Sequence, residues 1–238
     1  MKRTSLLLAL LLAGQAAFAA DGSAPVVDLT ALLPPPPAAG SPAARQDIGG
    51  VLVVQAHRTP VEIAAAQADR LHSVFRFADV FGTAFTPAQL PHTAAFFARV
   101  VAYDKGEVKA VKAFWHRPRP VLVSHAVHPL SQEQPDDWSY PSGHSTLGYT
   151  EAVLLANMVP ERRAAIFARA DLYARHRIVM GVHYPSDVEA GRLAGTVLGG
   201  RLLTDPAWQA GYAAARAELR KALALPDEPA AATAVATR

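Results

Sequence analysis

A single-domain, all-α helical bundle is the fold this sequence predicts, and three observations predict it. About half of the 238 residues are hydrophobic, and the strong helix formers Ala and Leu dominate that half. Apolar residues recur at helical spacing in stretches that open on Pro, several behind a capping residue. No stretch alternates cleanly enough for a strand. A chain of this length suits one domain rather than two large ones, and packed helices bury such apolar stripes against one another.

The two ends are set apart by composition. Residues 1–19 read as a signal peptide: Lys2 and Arg3 precede an apolar run from Leu6 to Leu12, and Ala17-Phe18-Ala19 is a small-x-small cleavage site. The run is too short for a membrane span, so the expectation is cleaved export to the periplasm. Cysteine is absent, which excludes a lipid-anchoring Cys, a disulfide framework, a thiolate zinc site and a Cys nucleophile. The leader carries two cations and no acid, so 23 Lys+Arg less two leaves 21 against 20 Asp+Glu. That balance gives no basic stripe for nucleic acid. Residues 20–48 are rich in Pro and Ala and are expected to be extended, with Pro34–Pro37 as a polyproline run. Residues 226–238 read as a flexible tail. The helical domain is thus expected over 49–225, without an internal repeat.

The elements of that domain follow in order. Thr59-Pro60 opens a helix that continues through Ile63, Ala66, Leu71, Val74 and Phe75. A second begins near Thr86-Pro87. A third covers about 92–104 on Phe96, Phe97, Val100 and Val101, and a fourth runs from Gly106 to His116 before Pro118 and Pro120 end it. Gly143 to Met158 is helical and closed by Pro160. Glu161 to Arg177, Pro185 to Leu203 and Pro206 to Leu223 complete the set. After the leader no apolar run reaches the roughly 20 residues that span a bilayer.

Three segments concentrate chemistry. Lys112 lies near the end of one helix, and Arg119 stands between Pro118 and Pro120 in a stiff, extended exit. A compact ammonium beside a forked guanidinium suits an oxyanion; cations at a helix end also serve the helix dipole. In Pro141-Ser142-Gly143-His144, Ser142 can cap, and Gly143 lets backbone approach a ligand at a helix start. An ordinary cap with an exposed His is the plainer alternative. In the third segment Arg177 ends a helix, His183 precedes another, and Asp187 lies four residues later. Its carboxylate can orient the His183 ring across one turn, or the pair can act as a structural cap. Together the segments supply three cations, one anion-binding helix start and two histidines, of which one has a carboxylate partner. That set suits phosphoryl transfer through a histidine.

The blocks Lys112-x6-Arg119-Pro120, Pro141-Ser142-Gly143-His144 and Arg177-x5-His183-x3-Asp187 resemble the signature of the type 2 phosphatidic acid phosphatase superfamily. That superfamily includes bacterial class A non-specific acid phosphatases, membrane lipid phosphatases and vanadium haloperoxidases. The leader, the Pro-rich segment and the length most resemble the class A enzymes. One position departs: His176 stands where the pattern usually has Ser, which puts one phosphate hydrogen bond in question. Lys109 and Arg117 are nearby cations outside the family spacing.

The resemblance implies a helical acid phosphatase of broad range acting on small phosphate monoesters. His183 would be the nucleophile, Asp187 its orienting carboxylate, and His144 the acid, starting protonated, and then the base. Lys112, Arg119, Arg177, Ser142 and Gly143 would hold the phosphoryl group. No cofactor and no metal are needed, since no carboxylate cluster for magnesium is evident. The resemblance also suggests a homodimer. Three rivals stand beside this reading: a vanadium haloperoxidase, a periplasmic lipid-phosphate phosphatase or phosphotransferase, and a phosphate-binding helical protein. The last would have no use for both histidines and Asp187.

Overall fold

Helix α7 (Gly143–Met158) runs through the middle of the protein and is buried along most of its length. The structure, a computed structural model, describes residues 27–132 and 137–227. The leader expected over 1–19 and most of the tail expected over 226–238 lie outside the described residues. Ten α-helices and no strand are found among the described residues, with 3-10 turns at Val74–Phe77 and Pro160–Arg162. The all-α expectation therefore holds.

The chain enters through a short helix α1 (Leu29–Leu32), capped by Asp28. Helix α2 (Pro42–His57) follows, with Ser41 accepting a hydrogen bond from the Ala44 amide. The segment expected to be extended through residue 48 is thus helical from Pro42. A Ser cap followed by Pro starts the helix there in spite of the Pro-rich approach. Helix α3 (Pro60–Ala68) opens as the sequence predicts, with a capping box between Thr59 and Glu62. It stops well before Phe75. Helix α4 (Ala78–Phe81) is one turn.

Helix α5 (Pro91–Trp115) is a single 25-residue element. The two helices expected over 92–104 and 106–116 are one, because Gly106 sits where a side chain would meet nothing within 4 Å and the apolar stripe continues through Val108 and Val111. The start near Thr86-Pro87 is only a turn. Short α6 (Pro120–Val123) follows Arg119. Beyond α7 come α8 (Arg163–Val179), α9 (Pro185–Thr204) and α10 (Pro206–Ala222). No described helix is long and apolar enough to cross a membrane.

Helix α7 packs most closely on α9, then on α8 and α5, while α10 covers α5. The close α7–α9 contact has a plain cause. Gly191, Gly195 and Gly199 recur every fourth residue along α9, and a Cβ at any of them would come within 3 Å of an α7 atom. The main core lies between α5, α7, α8 and α10 and includes Phe96, Phe97, Leu154, Leu155, Met158, Ile166 and Trp208. The ring of Trp208 meets Phe96 edge-on at 6.1 Å. This packing fixes the start of α7 beside the start of α9 and the end of α8. The predicted site residues lie on those ends, except Lys112 in the last turn of α5 and Arg119 just before α6.

Candidate active site

At this junction a cavity of about 560 Å³ opens. Lys112, Arg119, Gly143, His144, Arg177 and His183 all line it. Residues more than 60 positions apart in the chain therefore converge, as the sequence predicts. Asp187 and Ser142 are buried just behind the cavity wall.

His183 is 1% exposed and sits in the tight turn before α9. Gly181, at φ 72°, makes that turn. Nδ1 of His183 lies 3.2 Å from Oδ2 of Asp187. On the other side, Nη1 of Arg119 lies 2.8 Å from Nε2. A guanidinium only donates, so Nε2 is the acceptor and carries the lone pair. Nδ1 then carries the hydrogen and donates it to the carboxylate. The pair of contacts thus fixes one tautomer, with the lone pair on Nε2 capped by Arg119 at the cavity wall. Burial, and then Arg119, Lys112 and Arg177, hold the ring well below the usual imidazole range, so His183 is neutral.

Asp187 is completely buried. It accepts from Ser139 Oγ at 2.5 Å, from the Tyr184 amide at 3.0 Å and from Nη1 of Arg117 at 2.5 Å. Burial raises its carboxyl to about 6 against the pull of Arg117. Arg117 reaches on to Asp47 of α2 at 2.7 Å, and its guanidinium lies 3.9 Å from the centre of the Tyr184 ring. Arg117, which does not fit the phosphate-cation spacing, thus faces away from the cavity and anchors the carboxylate that orients His183.

Three cations face the cavity. Arg119 is 3% exposed and also donates to the Val182 carbonyl at 2.8 Å. Arg177, from the last turn of α8, is 4% exposed. Nζ of Lys112 lies 2.6 Å from Asp137 Oδ1, and Nη2 of Arg119 lies 2.6 Å from Oδ2 of the same carboxylate. Asp137 therefore bridges two of the cations expected to hold a phosphoryl group. Burial alone would raise its carboxyl; Lys112 and Arg119 outweigh that and lower it.

Ser142 caps α7 as predicted, accepting from the Ser145 amide at 3.3 Å. Its own amide donates to the Asp187 carbonyl at 3.0 Å. That amide is committed to joining the two helix starts, so Gly143 is the predicted backbone position left on the cavity wall.

His144 stands across the cavity in the first turn of α7. Its Nε2 meets the Arg70 carbonyl at 3.0 Å, and its Nδ1 meets Nε2 of His72 at 3.1 Å. A carbonyl accepts only, so Nε2 carries the hydrogen and Nδ1 receives one from His72. Burial, then Arg177 and His72, hold His144 well below the usual imidazole range. The ring expected to start protonated is thus neutral without a bound anion. Its neighbour His72, on the loop after α3, is pushed down to about 4 by burial and by Lys105.

His176 points elsewhere. Its Nδ1 lies 2.6 Å from Oδ2 of Asp69, and Asp69 also binds Arg169 at 2.6 Å and Arg76 at 2.7 Å. The position that departs from the family pattern is therefore tied to a buried ion cluster behind α8. Ser139, Asp47, His72, Asp69 and Asp137 carry no motif of their own, and only their contacts disclose them.

A buried, neutral histidine with an orienting carboxylate lines a cavity that three cations face. That arrangement has the charge and the histidine needed to receive a tetrahedral oxyanion. Residues 90–209, half of the chain, match the PAP2 superfamily, and the chain belongs to that superfamily. It is 34% identical over 140 residues to an acid phosphatase of Zymomonas mobilis, covering 57% of this chain and 52% of that protein. It is 33% identical over 147 residues to the non-specific acid phosphatase of Salmonella typhimurium, covering 60% and 59%. The match thus spans somewhat over half the length of these relatives. A bacterial vanadium-dependent iodoperoxidase shares the fold at a TM-score of 0.57 and 19% identity, over 73% of this chain and 52% of that one.

Proposed function

We propose that this protein is an exported, periplasmic acid phosphatase that hydrolyses a range of phosphate monoesters through a phosphohistidine on His183. The observation that carries the reading is the fixed tautomer of His183. Its Nδ1 is held by Asp187, and its Nε2 keeps the lone pair, which Arg119 caps at the wall of a cavity lined also by Lys112 and Arg177, so that a phosphoryl group taking the Arg119 donor would free it.

In the first step the Nε2 lone pair attacks phosphorus as the bond to the leaving oxygen breaks. Lys112, Arg119, Arg177 and the Gly143 backbone offset the charge on the phosphoryl oxygens. The leaving oxygen takes a proton from His144. In the second step water attacks the phosphohistidine, His144 takes the water proton, and Nε2 departs with its electron pair. Inorganic phosphate leaves and His183 is restored. A bound dianion favours a charged imidazole, so substrate itself raises His144 into the protonated form that step one needs. Acid catalysis supplies about 10²–10⁴ of the rate. Monoester hydrolysis needs enhancements up to about 10²¹, so the cations and the nucleophile carry most of it.

The test is a colorimetric assay with 4-nitrophenyl phosphate from pH 4 to 8, with and without chelator, joined to rapid acid-labile labelling of the protein by substrate. The reading expects turnover and a label that both vanish in His183→Ala. Turnover retained in that variant sinks the assignment. Halide oxidation by hydrogen peroxide with added vanadate, in the absence of phosphatase turnover, would move the site to the haloperoxidase chemistry.

A further inference from the structure

The cavity is far larger than one phosphoryl group, and its outer part carries charge that the hydrolysis does not use. Along α5 the residues that line it are Lys105, Val108, Lys109 and Lys112, at positions i, i+3, i+4 and i+7. That spacing puts them on one face of the helix. Lys112 belongs to the phosphoryl site. Lys109 and Lys105 stand about one and two turns further out, or roughly 5 and 10 Å along the axis.

Neither outer lysine has an ion-pair or hydrogen-bond partner among the described residues, whereas Lys112 is paired with Asp137. The charge of Lys105 is felt inside the cavity, where it lowers the His72 imidazole. The acid nearest them on the wall is Asp104, which is 2% exposed and held by Thr150 at 3.1 Å. Burial raises that carboxyl to about 8, so at acid pH it is neutral and cancels neither lysine. Val108, Leu147 and Trp138 add apolar and aromatic surface to the same lining, beside His72, while Asp137 is paired with Lys112 and Arg119.

We infer that Lys105 and Lys109 form a second anion subsite, which selects phosphate monoesters whose leaving group carries another phosphate one to two helix turns from the first: organic bisphosphates of sugar or polyol size. The inference rests on the phosphatase reading and names its substrate class. The transferred phosphoryl group sits on Lys112, Arg119 and Arg177. The carbon skeleton lies across Val108 and Leu147, and the second phosphate meets the two lysines. Two ammonium groups suit this task because they are point charges on flexible stems and tolerate several spacings.

The test uses the full chain and the variant Lys105→Gln/Lys109→Gln. Both positions are exposed on the helix surface, so the change leaves the core intact. Wild type is expected to favour fructose 1,6-bisphosphate over fructose 6-phosphate in kcat/KM, and the preference should shrink as salt rises. In the variant the preference should fall about tenfold, as expected for two exposed charge pairs, while kcat/KM on 4-nitrophenyl phosphate is unchanged. An equal bisphosphate preference in both proteins, or an equal loss on all three substrates, overturns the subsite. Calorimetric binding of the two sugar phosphates separates this inference from the reading beneath it. If neither protein turns over any ester, a lysine-dependent gain for the bisphosphate still supports the subsite while the phosphatase reading fails. No gain overturns both.

Discussion

The Arg117 guanidinium lies 2.5 Å from the Asp187 carboxylate, on the side of that carboxylate away from the cavity. It closes a chain of alternating charge and dipole that runs from Asp47 through Arg117, Asp187 and His183 to Arg119. Each member is buried, and a buried charge persists only with a partner. The chain also joins α2, the exit of α5 and the start of α9. Orientation of the nucleophile is thereby built into the packing of three elements.

Loss of the carboxylate should therefore cost rate rather than binding. Asp187→Asn keeps the size of the side chain and removes the charge that stabilises one tautomer. The expected outcome is a fall in kcat of about 10²–10⁴ with KM changed little, read with 4-nitrophenyl phosphate. Arg117→Gln should give a smaller loss of the same kind. It should also move the acid limb of the pH profile, because Asp187 already titrates near 6 and would lose the cation that holds it down. An unchanged acid limb would mean that Arg117 serves only the fold.

Asp137 makes a different prediction, on affinity. Its two oxygens each lie 2.6 Å from a cation of the phosphoryl site, so an incoming phosphate must displace them. Asp137→Asn weakens that internal competitor. Inhibition by product phosphate should tighten about five- to tenfold, and KM should fall with it. Asp137→Glu should keep the competition and stay close to wild type. Steady-state inhibition constants for the three proteins check this.

His144 should titrate differently with and without phosphate. In the free protein burial and Arg177 hold it well below 6.5. A bound dianion should raise it by a unit or more. NMR titration of the imidazole C–H signals, with His144→Gln to assign them, reads the shift directly. An identical titration in both states would remove His144 from the proton transfer. His144→Ala should then also lose no more rate on alkyl phosphates than on 4-nitrophenyl phosphate.

The ion cluster behind α8 sets a stability limit at low pH. Burial alone would raise Asp69, yet His176, Arg169 and Arg76 bring its carboxyl down to about 2. The native state therefore binds its proton less readily than the unfolded chain does. The stabilisation is complete above the unfolded value of 3.8 and is lost as pH falls through about 2. Its size is about 2–3 kcal/mol for a shift of nearly two units. Urea unfolding at pH 5 and pH 2.5 should show about two thirds of that loss, since pH 2.5 still lies above the folded value. Asp69→Asn should remove at least the full stabilisation of about 2–3 kcal/mol at pH 5, because buried Arg169 then keeps only the largely exposed Asp79, at 2.9 Å, as its counter-charge.

Much of this site was legible in the sequence because its residues come in short blocks whose spacing matches a helix end. His183 and Asp187 lie one turn apart, Ser142 caps α7, and Arg119 stands between two prolines. The helices with a hydroxyl cap and Pro, such as α3, were equally plain. What the sequence hid has physical causes. Composition masked α2, although Ser41-Pro42 is the same start signal as Thr59-Pro60. Gly106 suggested a break in α5 that an open surface position does not require. Asp47, Asp69 and Asp137 act mainly through contacts across 18 to 107 residues, with Asp69–Arg76 the one short-range exception at seven, and no local pattern marks the distant partners. Arg117 was visible as a cation, but its role depends on which way it faces.

The glycine stripe of α9 connects these two levels, and Gly195 tests the connection. A Cβ there would come within 2.2 Å of the Thr146 carbonyl oxygen and 2.8 Å of Tyr149 Cβ. Both belong to α7, and the first is backbone, which cannot swing aside. The helices must separate or slide, at a cost of about 1–3 kcal/mol or more. The displacement does not stay at Gly195. The Ser142 amide is bonded to the Asp187 carbonyl at the near end of the same pair of helices, so a shift there moves Gly143 and His144 relative to His183. Misplacement by about 1 Å can cost about 10² in rate. Gly195→Ala should therefore lower both Tm and kcat, with the loss of kcat persisting at temperatures where the variant is fully folded. Gly200→Ala, five residues on and facing open space, should leave both unchanged. Equal behaviour of the two variants would mean that the α7–α9 distance does not set the geometry of the site.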